Sequence, residues 1–287
     1  MYAFSKLIQP FVLNNKNIST IPATFLKDAR LISIRTKPNK TNIMRIFKTY
    51  LALLAFLIAG SQLDASSALI TVVKNKKTAD ETRKVSGFSG IASAGSYNII
   101  ITMGNSESLR LEGDAEQIAE IETVVENGTL KIRNKEKTRS WNRNWNDKVN
   151  IYVNAKSLKN ITLSGSGDIN VKGVVKSTEL SNTLSGSGII SLALDATNYS
   201  VTISGSGEIN ASGKTDNAKI NVNGSGDFEG KGLRTNVASA KVSGSGDISI
   251  NVDEALDAAM SGSGNIRYSG NASVKSTKSG SGRITKI

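Results

Sequence analysis

Residues 161–171 read ITLSGSGDINV, and residues 201–210 read VTISGSGEIN. In both, an alternating apolar run meets a Ser-Gly-Ser-Gly bend and resumes behind an acid as a second alternating run. The Gly-Ser-Gly unit recurs at Gly165–Gly167, Gly186–Gly188, Gly205–Gly207, Gly224–Gly226, Gly244–Gly246, Gly262–Gly264 and Gly280–Gly282. Successive first glycines stand 21, 19, 19, 20, 18 and 18 residues apart. So little drift rules out compositional accident, and a fixed period near 20 marks a solenoid.

Each unit has the same grammar. A strand such as Val201-Thr202-Ile203 enters, glycine turns the chain, and a second short strand such as Asp247-Ile248-Ser249-Ile250 leaves it. Period-2 alternation sends one face of each strand inward. Glycine at the corner fits positive φ or a close backbone approach. Glycine every 20 residues beside β-branched runs makes a poor helix. One coil cannot bury its apolar face alone, but stacked neighbours can. Ser166, Ser187, Ser206, Ser225, Ser245, Ser263 and Ser281 then form a column, expected to hydrogen-bond up the stack. Arg283 and Lys286 in the last coil discourage edge-to-edge growth.

The residues directly after the units are Asp168, Ile189, Glu208, Asp227, Asp247, Asn265 and Arg283. A stacked acid row suggests Ca²⁺. The period is wrong for a nonapeptide roll, however, and Ile189 interrupts the row, so these read as turn residues that satisfy backbone amides.

Residues 69–160 follow a different logic. Tyr97–Met103 and Ser108–Glu112 are β-type runs with Gly104-Asn105 between them as a hairpin signal. Ile118, Ile121, Val124 and Val125 follow helical spacing, with Asp114 as the expected N-cap and Asn127-Gly128 as the stop. Thr129–Arg133 and Val149–Val153 are again strands. The segment reads as a mixed β cap with one short helix, continuous with the solenoid of 161–287. The polar loop between its last two strands carries Trp141 and Trp145, candidates for stacking on a sugar ring or a partner surface. The alternative is that they close an open end of the core.

From Met44 the chain reads as a signal peptide, 44–68: Arg45 and Lys48, then apolar Leu51 to Ala59, then Ser66 and Ala68 at a cleavage site. The apolar run is too short to span a bilayer comfortably, so no transmembrane span is expected in the mature chain. Residues 1–43 are basic and patternless, which suits a non-native or disordered extension, with an organellar transit peptide as the alternative.

Cysteine and histidine are absent from all 287 residues. That removes disulfides, thiolate and imidazole metal sites, cysteine nucleophiles and Ser-His-Asp relays. No cofactor or metal is expected. The net charge of +12 dissolves on inspection: 1–43 hold seven Lys/Arg against one acid, and 161–287 hold 12 against 11. A nucleic-acid binder concentrates its basic residues on the functional domain, so nucleic acid is not an expected partner.

The run Arg83 to Asp114, then IETVVENGTLKIR, then SLKNITLSGSGDI, resembles the family described as "putative autotransporter adhesin, head GIN domain", common in Bacteroidota. The likeness spans about 83–287, departing at VNAK before SLKNI, where proline is usual. It implies a secreted protein with a right-handed β-helical fold.

The expectation is therefore an all-β chain, a right-handed parallel β-helix of about seven coils with a capping region. It is read as exported to the periplasm, outer-membrane surface or medium, and as non-catalytic, an adhesin or envelope binding module for a surface glycan or protein. The alternatives are a structural envelope component and a β-helical carbohydrate-active enzyme. The last needs clustered carboxylates, and Asp195, Glu208, Asp216, Asp227 and Glu229 are scattered along the sequence.

Overall fold

The computed structural model describes residues 78–135 and 148–287. The extension, the signal peptide, Trp141 and Trp145 lie outside the described residues. The order is β1 (Thr78–Arg83), β2 (Gly90–Ala94), β3 (Asn98–Met103), β4 (Ser108–Asp114), α1 (Ala115–Glu120), β5 (Ile121–Glu126), β6 (Thr129–Asn134), β7 (Asn150–Ala155) and β8 (Asn160–Gly165). The repeats follow as β9 (Asp168–Gly186), β10 (Ile189–Gly205), β11 (Glu208–Gly224), β12 (Asp227–Gly244) and β13 (Asp247–Gly262). The chain ends in β14 (Asn265–Ser269), β15 (Ser273–Ser279) and β16 (Arg283–Lys286).

The result is a β-solenoid of about seven turns with one short helix. Every junction from β8 and β9 to β16 is parallel. The coil is not two short strands with a polar connection, as the sequence pattern suggests. β10 and β11 pair in register from Ile189↔Glu208 to Gly205↔Gly224, so the hydrogen-bond ladder runs through the bends. Inward residues stack on their equivalents: Ile151, Ile99, Ile169, Ile190, Ile209, Phe228, Ile248 and Ile266 form one ladder, each at most 1% exposed. Such a ladder removes each apolar side chain from water only when both neighbouring coils are present, which ties folding of one coil to the next.

The corners stack glycine on glycine. Gly186, Gly205, Gly224, Gly244 and Gly262 have φ between 121° and 134°. A Cβ on Gly205 would sit 2.5 Å from the Gly186 carbonyl oxygen below it. The serine column works differently from expectation. Serine backbone N–H groups carry it, Ser206 donating to Gly186 O at 2.9 Å and Ser225 to Gly205 O at 2.9 Å. Among the described residues the corner hydroxyls make no hydrogen bond to one another.

The N-terminal side is interleaved. β2 and β3 form a coil directly beneath β8 and the start of β9. Gly95-Ser96-Tyr97 serves as its corner: Gly95 N–H donates to Ser164 O at 3.0 Å, and Asp168 N–H donates to Tyr97 O at 2.9 Å. The chain then leaves through β4, α1 and β5 and returns as β6 and β7, the layer below β2 and β3. Residues 78–135 and 148–160 are thus partly stack and partly cap. The cap proper is β1, β4, α1 and β5, joined antiparallel to the edges they cover. All of this, with the repeats, belongs to one compact unit, Val73–Ile287.

Two local expectations are corrected. β3 and β4 do not pair as a hairpin, because β7 lies between them, parallel to β3 and antiparallel to β4. The helix stops after Glu120, although Asp114 caps it as expected through Glu116 N–H and Gln117 N–H. Ile121–Glu126 is a strand, and Asn127 (φ 50°) with Gly128 (φ 71°) closes a tight hairpin to β6. Positive φ at both central residues is the primed-turn geometry that fits strand twist. Arg83 fastens the cap by donating to the carbonyls of Ile121 at 2.7 Å and Ile118 at 3.0 Å.

Candidate functional site

Equivalent residues on successive coils lie about 4.8 Å apart, so outward side chains form columns. Most polar columns satisfy themselves. Asn198 Nδ2 donates to Glu179 Oε1 at 2.7 Å, and Asn217 Nδ2 donates to Asn198 Oδ1 at 3.0 Å. Nearer the cap, Asn98 Nδ2 donates to Asn150 Oδ1 at 2.7 Å.

The column after the corners is occupied in the same way. Asp227 Oδ1 accepts from Asp247 N–H at 2.9 Å, and Asp247 Oδ1 accepts from Asn265 N–H at 2.8 Å. Arg267 Nη1 pairs with Asp247 Oδ2 at 2.9 Å, and Lys148 Nζ with Asp168 Oδ2 at 2.7 Å. Burial alone would raise the Asp247 pKa. Hydrogen bonds from the Asn265 side chain, Arg267 and the Asn265 backbone outweigh it and hold the carboxyl below its usual range. These acids cap amides and pair with cations between coils. Among the described residues no group of three His, Cys, Asp or Glu stands ready to hold a metal ion.

A second outward column differs. Asn170, Ser191, Asn210 and Glu229 are in register on β9 to β12. Among the described residues, the side chains of Asn170, Ser191 and Asn210 make no hydrogen bond. Glu229 accepts from Ser249 Oγ at 3.2 Å and stands 3.5 Å from Lys231 Nζ. Beyond the inward residues Val171, Leu192 and Ala211 come small outward residues, Ala193, Ser212 and Gly232. The two outward columns line an open groove of about 470 Å3 that crosses four coils along the stack.

A second cleft, of about 660 Å3, lies at the cap between the end of β1 and β5, against Glu107 and Ser108. Arg83 crosses it to bind the carbonyl of Ile121, so it is a seam of the cap.

The structure brings three of the five candidate acids together and leaves two apart. Glu208, Asp227 and Glu229 share one outward face of β11 and β12. Asp195 lies on another column, 3.5 Å from Lys214 Nζ, and Asp216 Oδ1 accepts from Asn236 Nδ2 at 3.3 Å. The residues the sequence reading missed are Asn170, Ser191 and Asn210. Their signal is in the repeat: each stands five places after the first glycine of its unit, two beyond the acid-bearing place.

In the core, Asn182 occupies an aliphatic ladder between Ile161 and Val201. Its Nδ2 donates to the Tyr199 hydroxyl at 2.9 Å. Burial pushes the Tyr199 pKa far above its ordinary value, slightly opposed by that bond. The Tyr199 ring lies 6.4 Å from the Phe228 ring, tilted by 47°. This pair faces no solvent and serves packing.

Fold and surface together define a β-solenoid that displays laddered polar columns. The chain belongs to the family described as "putative auto-transporter adhesin, head GIN domain", whose model matches residues 87–272. No curated protein matches it. Among solved structures it is similar to a putative adhesin from Bacteroides fragilis, 27% identical with TM-score 0.68, covering 74% of this chain and 98% of that one. It is also similar to a putative lipid binding protein from Parabacteroides distasonis, 27% identical with TM-score 0.61, over 74% and 98%. A putative adhesin from Parabacteroides merdae, 20% identical with TM-score 0.59 over 74% and 97%, shares the fold. Among the described residues no helix is long and apolar enough to cross a membrane.

Proposed function

We propose that the chain is an exported, non-catalytic binding module of the cell envelope that acts as an adhesin, presenting a lateral solenoid face to a surface glycan or protein. One observation carries the reading: the outward polar columns are fixed by continuous backbone ladders, as in the in-register pairing of β10 with β11. Side chains held on a rigid sheet lose little freedom when they bind, which suits recognition by many modest contacts. Family membership supports the adhesin role and export. Of the acids that hydrolytic chemistry would need, Asp227 and Glu229 are engaged between or along coils and Asp195 and Asp216 stand away from them, which supports a non-catalytic role.

The test is localisation together with binding. Protease shaving of intact cells is expected to remove the protein, and its deletion to reduce adherence to glycan- and protein-coated surfaces. One relative is described as a putative lipid binding protein, so lipid vesicles belong in the panel. A protein protected from protease within the periplasm overturns the adhesin reading and leaves the structural one.

A further inference from the structure

The groove across β9 to β12 stands out because its polar side chains are unspent. Asn198 with Asn217, and Asn98 with Asn150, bond along their columns. Asn170, Ser191 and Asn210 stack in register on a column of their own yet bond to nothing among the described residues. Asparagine amides and serine hydroxyls each offer both a donor and an acceptor. Here they are set at strand spacing along a concave path of about 470 Å3, within the size range of ligand sites.

We propose that this groove binds a linear, uncharged glycan lying along the solenoid axis, with Asn170, Ser191 and Asn210 hydrogen-bonding its hydroxyls and Glu229 closing one end. The inference rests on the binding-module reading and names its ligand class. Sugar hydroxyls donate and accept, as these side chains do. A peptide has less to hold. Strands β9 to β12 each have a parallel neighbour on both sides, with register shifts at the groove between Ser191 and Ala193 and between Asn210 and Ser212, so no free strand edge is offered for strand addition. The opposite wall is small, Ala193, Ser212 and Gly232, so the groove's apolar surface, shared with Val171, Leu192 and Ala211, lies shallow and open, which suits the flat carbon face of a sugar ring better than a side-chain anchor or an acyl chain. Charge is balanced locally, since Lys231 Nζ stands 3.5 Å from Glu229. A charged polymer gains little, and a neutral one loses nothing.

The test uses purified chain from residue 69 onward and linear neutral hexasaccharides of glucose, mannose, xylose and galactose. Binding is measured by calorimetry and mapped by amide chemical shifts. At least one hexasaccharide is expected to bind and to shift the side-chain amides of Asn170 and Asn210. Asn170→Ala with Asn210→Ala is expected to weaken binding about tenfold or more, the effect of losing two neutral hydrogen bonds. Ser212→Trp, at an exposed position, is expected to fill the groove and abolish binding with the thermal midpoint unchanged. If a variant fails to fold, the shift map of the natural sequence decides alone.

Hexasaccharide binding that survives both variants, or that Trp141→Ala with Trp145→Ala removes instead, overturns the groove as the site. No hexasaccharide binding overturns the ligand class. If the same protein still adheres to a protein-coated surface, the binding-module reading survives. If it adheres to nothing, both fall.

Discussion

At Gly224 the backbone has φ +121°, and a Cβ there would lie 2.6 Å from the carbonyl oxygen of Gly205. Two separate costs meet at this residue. A side chain in that conformation is strained by about 1–3 kcal/mol, and the contact pushes apart two coils whose ladder is continuous on both sides. Gly226 is glycine for the second reason alone, with no left-handed φ but only 2.5 Å to Gly207 O. Gly104 has neither constraint, with nothing within 4 Å. Gly224→Ala is therefore expected to lower the urea midpoint by an amount equivalent to at least about 2 kcal/mol, while Gly104→Ala stays within about 0.5 kcal/mol. Equal midpoints for the two variants would refute the corner account. The corner positions were readable because a local conformational demand recurs at a fixed period. Asn182 was not: nothing in a polar residue's own identity says that it stacks between Ile161 and Val201 in an aliphatic ladder, and only register does.

Elements proved legible where their determinants are local. The Asp114 cap followed from residue type and position, and the alternation of β10 or β13 sets which side chains turn inward. The hairpin expected across Gly104-Asn105 failed because β7, some 45 residues on, pairs with β3 more extensively than the turn could enforce for β4. The helix expected through Val125 failed because Asn127-Gly128 is a stronger hairpin signal than a helix stop, and Thr123-Val124-Val125 are β-branched. At the junction of β13 and β14, Asp247 gives a pH prediction. Its folded pKa is depressed, so its stabilising contribution is complete above the unfolded value of about 3.9 and is lost as pH falls through the folded value. Asp247→Asn is expected to lower the urea midpoint at pH 7 and to flatten its decline between about pH 5 and 2. An unchanged slope would mean that the hydrogen bonds to Asn265 and Arg267 add nothing specific to the charge.

For the whole molecule, the stacking that builds the solenoid also threatens to continue beyond it. β15 and β16 pair on one side only among the described residues. Lys278 stands on the inward ladder of Met260, and Lys286 on that of Tyr268. Two charges thus occupy places that apolar residues fill in the coils before, and from Ala258 onward the chain holds five basic residues and no acid. An ammonium group directed over the end of a core resists burial, and like charges on a second copy resist docking, so both defeat end-on growth. The opposite end is covered covalently by β1, β4, α1 and β5. Lys278→Leu with Lys286→Leu is expected to extend the two apolar ladders by one position and expose them at an unpaired edge. Sedimentation equilibrium should then show a weight-average mass that rises with concentration beyond that of the natural sequence, and raised salt should shift the natural sequence in the same direction by screening its terminal cations. A double variant with the same mass distribution as the natural chain would show that these lysines are not what keeps the open end apart.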